Sequence, residues 1–96
     1  MSIVIVGGHD RMVQQYKKIC KEYHCKAKVF TQMSARLGEQ IGNPDLLILF
    51  TNTISHKMAH CAVAEASRKK MDIVRCHTSS GNALHEILKG AVKETL

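Results

Sequence analysis

The chain has 96 residues, an apolar fraction of 45%, and 14 Lys and Arg against 8 Asp and Glu, for a formal charge of +6. That length excludes a second core or a separate catalytic domain, so residues 1–96 read as one α/β domain. A secretory leader pattern and any run of eighteen apolar residues are missing, which predicts a cytoplasmic protein with no membrane partner, and the positive balance favours anionic ligands.

Ile3-Val4-Ile5-Val6 is a β-branched run closed by Gly7-Gly8, the pattern of a central strand buried on both faces. Asp10 is placed to cap a helix whose apolar positions Val13, Tyr16, Ile19, Cys20 and Tyr23 recur at helical spacing, with Lys17, Lys18 and Lys21 outward. Ala27 to Thr31, flanked by lysines, reads as an edge strand. A short helix from Ser34 turns Leu37 and Ile41 inward and stops at Gly42-Asn43-Pro44. Leu46 to Phe50 is the most apolar stretch, a second central strand, and it runs into Thr51-Asn52-Thr53-Ile54-Ser55. Ser55 is placed to cap a third helix, with a stripe of Met58, Ala59, Ala62, Val63 and Ala66 and a basic end at Arg68-Lys69-Lys70. Ile73 to Cys76 is the fourth strand, His77 to Gly81 its loop, and Leu84, Ile87, Leu88 and Ala91 the inner face of a last helix.

Strict alternation of strand and helix predicts a single Rossmann-like doubly wound domain: a four-stranded parallel sheet in the order 2-1-3-4, flanked by helices, with right-handed crossovers. That order sets the switch point between the first and third strands and a ligand mouth at the C-terminal ends of the strands. Gly7-Gly8-His9 and Thr51 to His56 flank the mouth, and Ser79-Ser80-Gly81 reaches it from the fourth strand. Cys20, Cys25, Cys61 and Cys76 lack the dense spacing of a secreted scaffold and read as reduced thiols. Two open sheet edges and an alanine-rich third helix in so short a chain predict a homodimer.

Gly7-Gly8 before a helix offers N–H groups to an anion, but the run Gly-Gly-His-Asp-Arg-Met lacks both the third glycine of a dinucleotide fingerprint and the Gly-Lys-Ser/Thr of a P-loop. A tight turn without a ligand accounts for the pair equally well. His9, His56 and His77 all fall just past strand ends on one side of the sheet; a single loop histidine is usually solvated, whereas three around one mouth favour ligation. His56, His60 and Cys61 resemble half a zinc site whose other half is missing. Met12, Met33 and Met58 crowd the mouth, either as fillers of the core's ends or, with Phe50, as walls for a flat apolar ligand.

Histidines for an axial bond, methionines for a planar face, and Arg11, Arg75 or a helix N-terminus for carboxylates together match the needs of haem. On this reading His9 is the first choice of iron ligand and His56 the second. Gly7, Gly8, Arg11, Met12, Met33, Asn52, Ser55, Met58, Ser79 and Ser80 then line the cofactor site.

The segments Val-Gly-Gly-His-Asp-Arg, Thr-Asn-Thr-Ile-Ser-His and Thr-Ser-Ser-Gly, in that order, resemble a small bacterial family, domain of unknown function 2325, over nearly the whole chain. Gly7, Gly8, Ser55, His56, Ser79, Ser80 and Gly81 stand at the family's positions. The resemblance implies a Rossmann-like, homodimeric bacterial domain, with haem binding in some members. Other members carry a histidine and a glycine where this chain has Phe30-Thr31-Gln32-Met33, which implies a subgroup with its own pocket.

Paired acids at a mouth, a nucleophile elbow and an acidic cluster for magnesium are all missing, and Cys76 beside His77 is a generic thiolate pair. The chain therefore reads as a stoichiometric haem binder, a gas or redox sensor or a haem carrier, rather than an enzyme. The alternative is a nucleic-acid- or nucleotide-binding regulatory domain, resting on Lys17, Lys18, Lys21, Lys26, Lys28 and Arg68-Lys69-Lys70. Against it, 4% aromatic residues leave little for base stacking.

Overall fold

A computed structural model describes residues 1–93. The elements are β1 (Ser2–Val6), α1 (Val13–Glu22), β2 (Lys26–Phe30), α2 (Leu37–Ile41), β3 (Leu46–Phe50), α3 (His56–Lys69), β4 (Asp72–Cys76) and α4 (Gly81–Lys93), with 3-10 turns at Asp10–Met12 and Thr51–Thr53. All strand pairings are parallel and the order is β2-β1-β3-β4, as the alternation predicts. In register, Val6 lies beside Phe30 on one side and Leu49 on the other.

Successive side chains of a strand point to opposite faces, so an unbroken apolar run feeds two layers at once. Ile3, Ile5, Leu46, Ile48 and Phe50 pack under α1 and α4 with Tyr16, Ile19, Cys20, Leu84 and Leu88. Val4, Val6, Leu47 and Leu49 pack under α2 and α3 with Leu37, Ile41, Met58, Ala62 and Ala66. Each fully buried aliphatic side chain here stabilises by roughly 1.5–3 kcal/mol relative to exposure.

One local expectation fails for an identifiable reason. Asp10 caps no helix: Asp10–Met12 is a 3-10 turn without a side-chain cap and α1 begins only at Val13. The Asp10 carboxylate instead accepts hydrogen bonds from Thr31 Oγ1 and from Gln32 Nε2, the latter at 3.0 Å, and so ties the loop after β1 to the loop after β2. The basic end of α3 is present as expected, with two of its cations drawn to groups of the chain. Glu65 holds Arg68 at 2.8 Å and Lys69 at 3.2 Å, while Lys69 Nζ donates to the Gly42 carbonyl at 2.8 Å.

The expected Ser55 cap forms, and Ser80, read in the sequence only as part of a loop, caps α4 as well. Ser55 Oγ accepts from the Met58 N–H at 3.1 Å and Ser80 Oγ from the Ala83 N–H at 3.1 Å, fixing the first turns of α3 and α4. All four cysteines are free thiols. Among the described residues no helix is long and apolar enough to cross a membrane.

Candidate functional site

The switch point between β1 and β3 is closed by the chain's own groups. Gly7 and Gly8 both take positive φ, 112° and 87°. The Gly7 N–H donates to the Phe30 carbonyl at 2.8 Å, and the Gly8 N–H donates to Thr53 Oγ1 at 2.6 Å. Thr53 Oγ1 in turn donates to the Phe50 carbonyl at 3.1 Å, so one threonine hydroxyl plugs the crevice. A Cβ on Gly7 would stand 2.8 Å from that carbonyl, and one on Gly8 would stand 2.5 Å from the Tyr16 ring.

Beneath Gly8, the buried Tyr16 hydroxyl donates to the Ser79 carbonyl, locking the loop after β4 to α1. Burial pushes the Tyr16 phenol up, and its hydrogen bonds to Ser79 and His9 oppose that shift. The glycine pair is thus a device for close packing, the second of the two readings left open by the sequence: the N–H groups of Gly7 and Gly8 are both bonded within the fold.

The methionine-walled face is corrected as well. Met58 is 2% exposed within the α2/α3 layer, whereas Met12 packs against the α1/α4 layer on the other side of the sheet. Phe50 is buried against Tyr16, ring centroids 5.4 Å apart, and offers no wall to a ligand. Met33 alone of the three is exposed, at 39%. Ser55 and Ser80 serve as helix caps and Ser79 lends its carbonyl to Tyr16.

His9, Arg11, Asn52, His56 and His77 remain exposed on the rim. His9 makes no side-chain cap, and its carbonyl accepts from the Met12 N–H at 2.8 Å. Cys76 Sγ donates to the Thr78 carbonyl at 3.2 Å, which gives that thiol a local partner other than His77. Among the described residues no group of three or more His, Cys, Asp or Glu is arranged to hold a metal ion.

One concavity at the C-terminal ends of the strands combines the needed chemistries. A shallow cleft of about 340 Å³ between α3 and β4 is lined by Leu49, Thr51, Ala59, His60, Val63 and Arg75. It lies beside β4, an edge of the sheet, beyond which, among the described residues, no strand continues the surface on which α3 rests. Leu49, Ala59 and Val63 supply apolar walls, His60 an imidazole and Arg75 a guanidinium. His56 lies one helical turn before His60 on α3, so both project from the same side of that helix. The four-residue spacing of this pair was visible in the sequence; that Arg75 lines one cleft with His60 needed the topology.

Two other concavities differ in character. One of about 710 Å³ between α1 and α4 is lined mainly by polar groups, among them Gln14, Gln15, Lys18, Glu22 and Asn82. The other, of about 560 Å³, lies at the opposite end of β4 and is lined by Met1, Leu46, Asp72, Ile73, Val74, Ile87 and Ala91.

A family model described as "Uncharacterized protein conserved in bacteria (DUF2325)" matches residues 2–91. No curated protein matches the chain. Among solved structures the chain is similar to a de novo designed Rossmann 2x2 fold protein determined by solution NMR, with a TM-score of 0.64 at 10% identity, covering 100% of this chain and 91% of that one. It is similar also to a second de novo designed Rossmann fold protein, with a TM-score of 0.65 at 11% identity, covering 95% of this chain and 96% of that one. At such identities the likeness shows the fold alone.

Proposed function

This chain belongs to the bacterial family DUF2325, and from that premise we propose that it is a haem-binding protein, a haem carrier or a haem-based gas or redox sensor, working as a homodimer in the cytoplasm. The observation that carries the reading is the cleft between α3 and β4, where an imidazole, apolar walls and a guanidinium meet in one place. Those are the groups a haem site requires: a nitrogen for iron, an apolar surface for the macrocycle, and a cation for a propionate. His60 would be the ligand inside the cleft, His56 the alternative one turn earlier, and Arg75 the propionate partner.

The proposal moves the centre of the site from the loop after β1 to the first turns of α3. Gly7, Gly8 and Met58 drop out as cofactor contacts because each is enclosed by the chain itself, and Met12 because it packs on the α1/α4 face, away from the cleft. His9, Arg11, Met33 and Asn52 stay on the exposed rim, and His9 is the competing ligand. Bound haem would supply an iron coordination position for a gas or a one-electron couple.

Titration with ferric haem followed by absorbance tests the reading. Saturable uptake at one equivalent per chain is expected, with His60→Ala weakening it at least about tenfold, a scale set by the loss of a metal ligand's environment. His9→Ala is expected to leave the Soret band unchanged. Loss of the band in His9→Ala with His56→Ala and His60→Ala intact would move the site back to the β1 loop, and the absence of any uptake would remove the haem reading.

A nucleic-acid reading keeps one observation in its favour, the exposed Lys17, Lys18, Lys21, Lys26 and Lys28 on α1 and β2. Salt-dependent retention of random-sequence DNA without haem uptake would select it.

A further inference from the structure

The first helix ends in a Schellman motif. The Cys25 N–H donates to the Cys20 carbonyl at 2.9 Å and the His24 N–H to the Lys21 carbonyl at 2.9 Å, with His24 in the left-handed region at φ 59°. The end of α3 is built the same way. There the Met71 N–H donates to the Ala66 carbonyl at 2.8 Å and the Lys70 N–H to the Ser67 carbonyl at 3.4 Å, with Lys70 at φ 55°. In this motif the first and last residues of the turn commonly meet through their side chains. At the end of α3 those residues are Ala66 and Met71, an ordinary apolar pair of the α2/α3 layer. At the end of α1 they are two thiols.

Cys20 and Cys25 are both free, and both belong to the buried cluster under α1 and α4. Charge on Cys25 raises the Cys20 thiol, so the two sulfurs lie within electrostatic reach. Side chains in contact bring heavy atoms within about 4.5 Å, and a disulfide needs Cβ atoms about 4 Å apart. Two backbone hydrogen bonds have thus already closed the ring that a cross-link would close. Cys25 is the more accessible, 7% exposed against 0% for Cys20, and its Sγ donates to the Tyr23 carbonyl at 3.4 Å. Cys61 packs on the other face of the sheet and Cys76 stands at the C-terminal end of β4, away from this pair.

We propose that Cys20 and Cys25 form a two-electron redox site, converted to an intrachain disulfide by a small peroxide and restored by a dithiol reductant. This inference does not rest on the haem reading. Burial raises both thiols and keeps the resting pair protonated, and it favours a small oxidant over a bulky one. Cys25, once it has lost its proton, attacks one peroxide oxygen: the S–O bond forms, the O–O bond breaks, and the departing hydroxide takes up that proton as water. The Cys20 sulfur then attacks the sulfenic sulfur; the S–S bond forms, and the sulfenic oxygen leaves as a second water with the Cys20 proton. Two thiols are oxidised and one peroxide is reduced. The ring so closed includes Tyr23, whose hydroxyl meets His85 Nδ1 of α4 at 3.3 Å, so oxidation fixes the residue that joins α1 to α4.

Trypsin cuts after Lys18, Lys21 and Lys26, between and around the two cysteines, so the cross-link can be read directly. Native full-length protein treated with hydrogen peroxide, alkylated and digested is expected to yield peptides 19–21 and 22–26 joined, and dithiothreitol should separate them. Cys20→Ser lacks the second sulfur and should carry Cys25 onward to the sulfinic or sulfonic acid. Cys61→Ser with Cys76→Ser should leave the cross-link in place. In a glutathione redox buffer the native chain is expected to favour the disulfide at equilibrium at least about tenfold more than the urea-unfolded chain, because the fold has already closed the ring. A Cys20 and Cys25 pair still reduced after Cys61 and Cys76 have been oxidised overturns the proposal. Equal equilibrium constants in the native and unfolded chains, or disulfides that join either residue only to Cys61 or Cys76, overturn it as well.

Discussion

Between β1 and β3 the C-terminal rim is filled by the chain's own groups, while between α3 and β4 it is left open. At the first place both glycine N–H groups are bonded within the fold and Thr53 plugs the crevice. At the second an imidazole, a guanidinium and three apolar side chains line a cleft beside the edge strand β4. The difference teaches that a glycine pair after a first strand reports how closely backbone and ring must approach before it reports a ligand. The switch-point rule locates a crevice; whether the crevice is vacant depends on which side chains the neighbouring loops send into it. In this small sheet the vacancy lies at the edge strand.

The comparison breaks most forcefully at Gly8. A methyl group there would collide with the Tyr16 ring at 2.5 Å, and the residue would be held at φ 87°, a region that L side chains rarely adopt. Strain and overpacking together put the cost of Gly8→Ala at about 3 kcal/mol or more. Urea unfolding should show it as a large drop in midpoint. On the open side, His60→Ala removes an exposed ring and should shift the midpoint by less than about 0.5 kcal/mol. If Gly8→Ala proved as mild as His60→Ala, the filled half of the rim would not be the structural half.

Much of the fold was legible because its signals are periodic. The apolar runs of β1 and β3, the helical spacing from Val13 to Tyr23 and the serine cap at Ser55 each follow from one local rule, and the strand order follows from alternation and crossover hand. The site was less legible because it depends on which groups meet. Asp10 has the composition of a helix cap, yet Thr31 and Gln32, twenty-one and twenty-two residues on, capture its carboxylate. Met12 and Met58 share an end of the sheet in sequence terms, but β1 crosses over to β2 and β3 to β4 in opposite directions along the sheet. With right-handed crossovers the intervening helices must lie on opposite faces. That correction to the methionine wall was available from topology alone.

A second test probes the layer beneath the filled half. Cys20 lies on the buried face of α1, and burial, with a smaller contribution from nearby Cys25, pushes its thiol up from 9.0 to about 11. Tyr16 in the same layer is also raised. A raised folded-state value means that the folded chain holds the proton where the unfolded chain has lost it. The contribution is fully present below pH 9 and is lost as pH rises toward 11, at 1.36 kcal/mol per pH unit for one proton, on the order of 2 kcal/mol for Cys20. Stability measured by urea titration should therefore decline along an alkaline limb, and Cys20→Ala should flatten that limb while lowering stability at neutral pH. An unchanged slope in Cys20→Ala would show that the thiol is not what titrates there.

The smallest effect separates two adjacent residues that stand together in the sequence pattern. Ser55 accepts the Met58 N–H at the start of α3, while His56 is exposed beside it and carries a ring available to a ligand. Ser55→Ala should cost about 1 kcal/mol, the usual worth of an N-cap, and loosen the first turn of α3. Haem uptake should persist in it, because the Ser55 hydroxyl is turned to the backbone. His56→Ala should leave stability within about 0.5 kcal/mol and act, if at all, on the Soret band alone. The pair assigns stability to the serine and ligand response to the histidine one residue later. Loss of haem uptake in Ser55→Ala at unchanged stability would reverse that assignment and place the hydroxyl, rather than the α3 imidazoles, against the ligand.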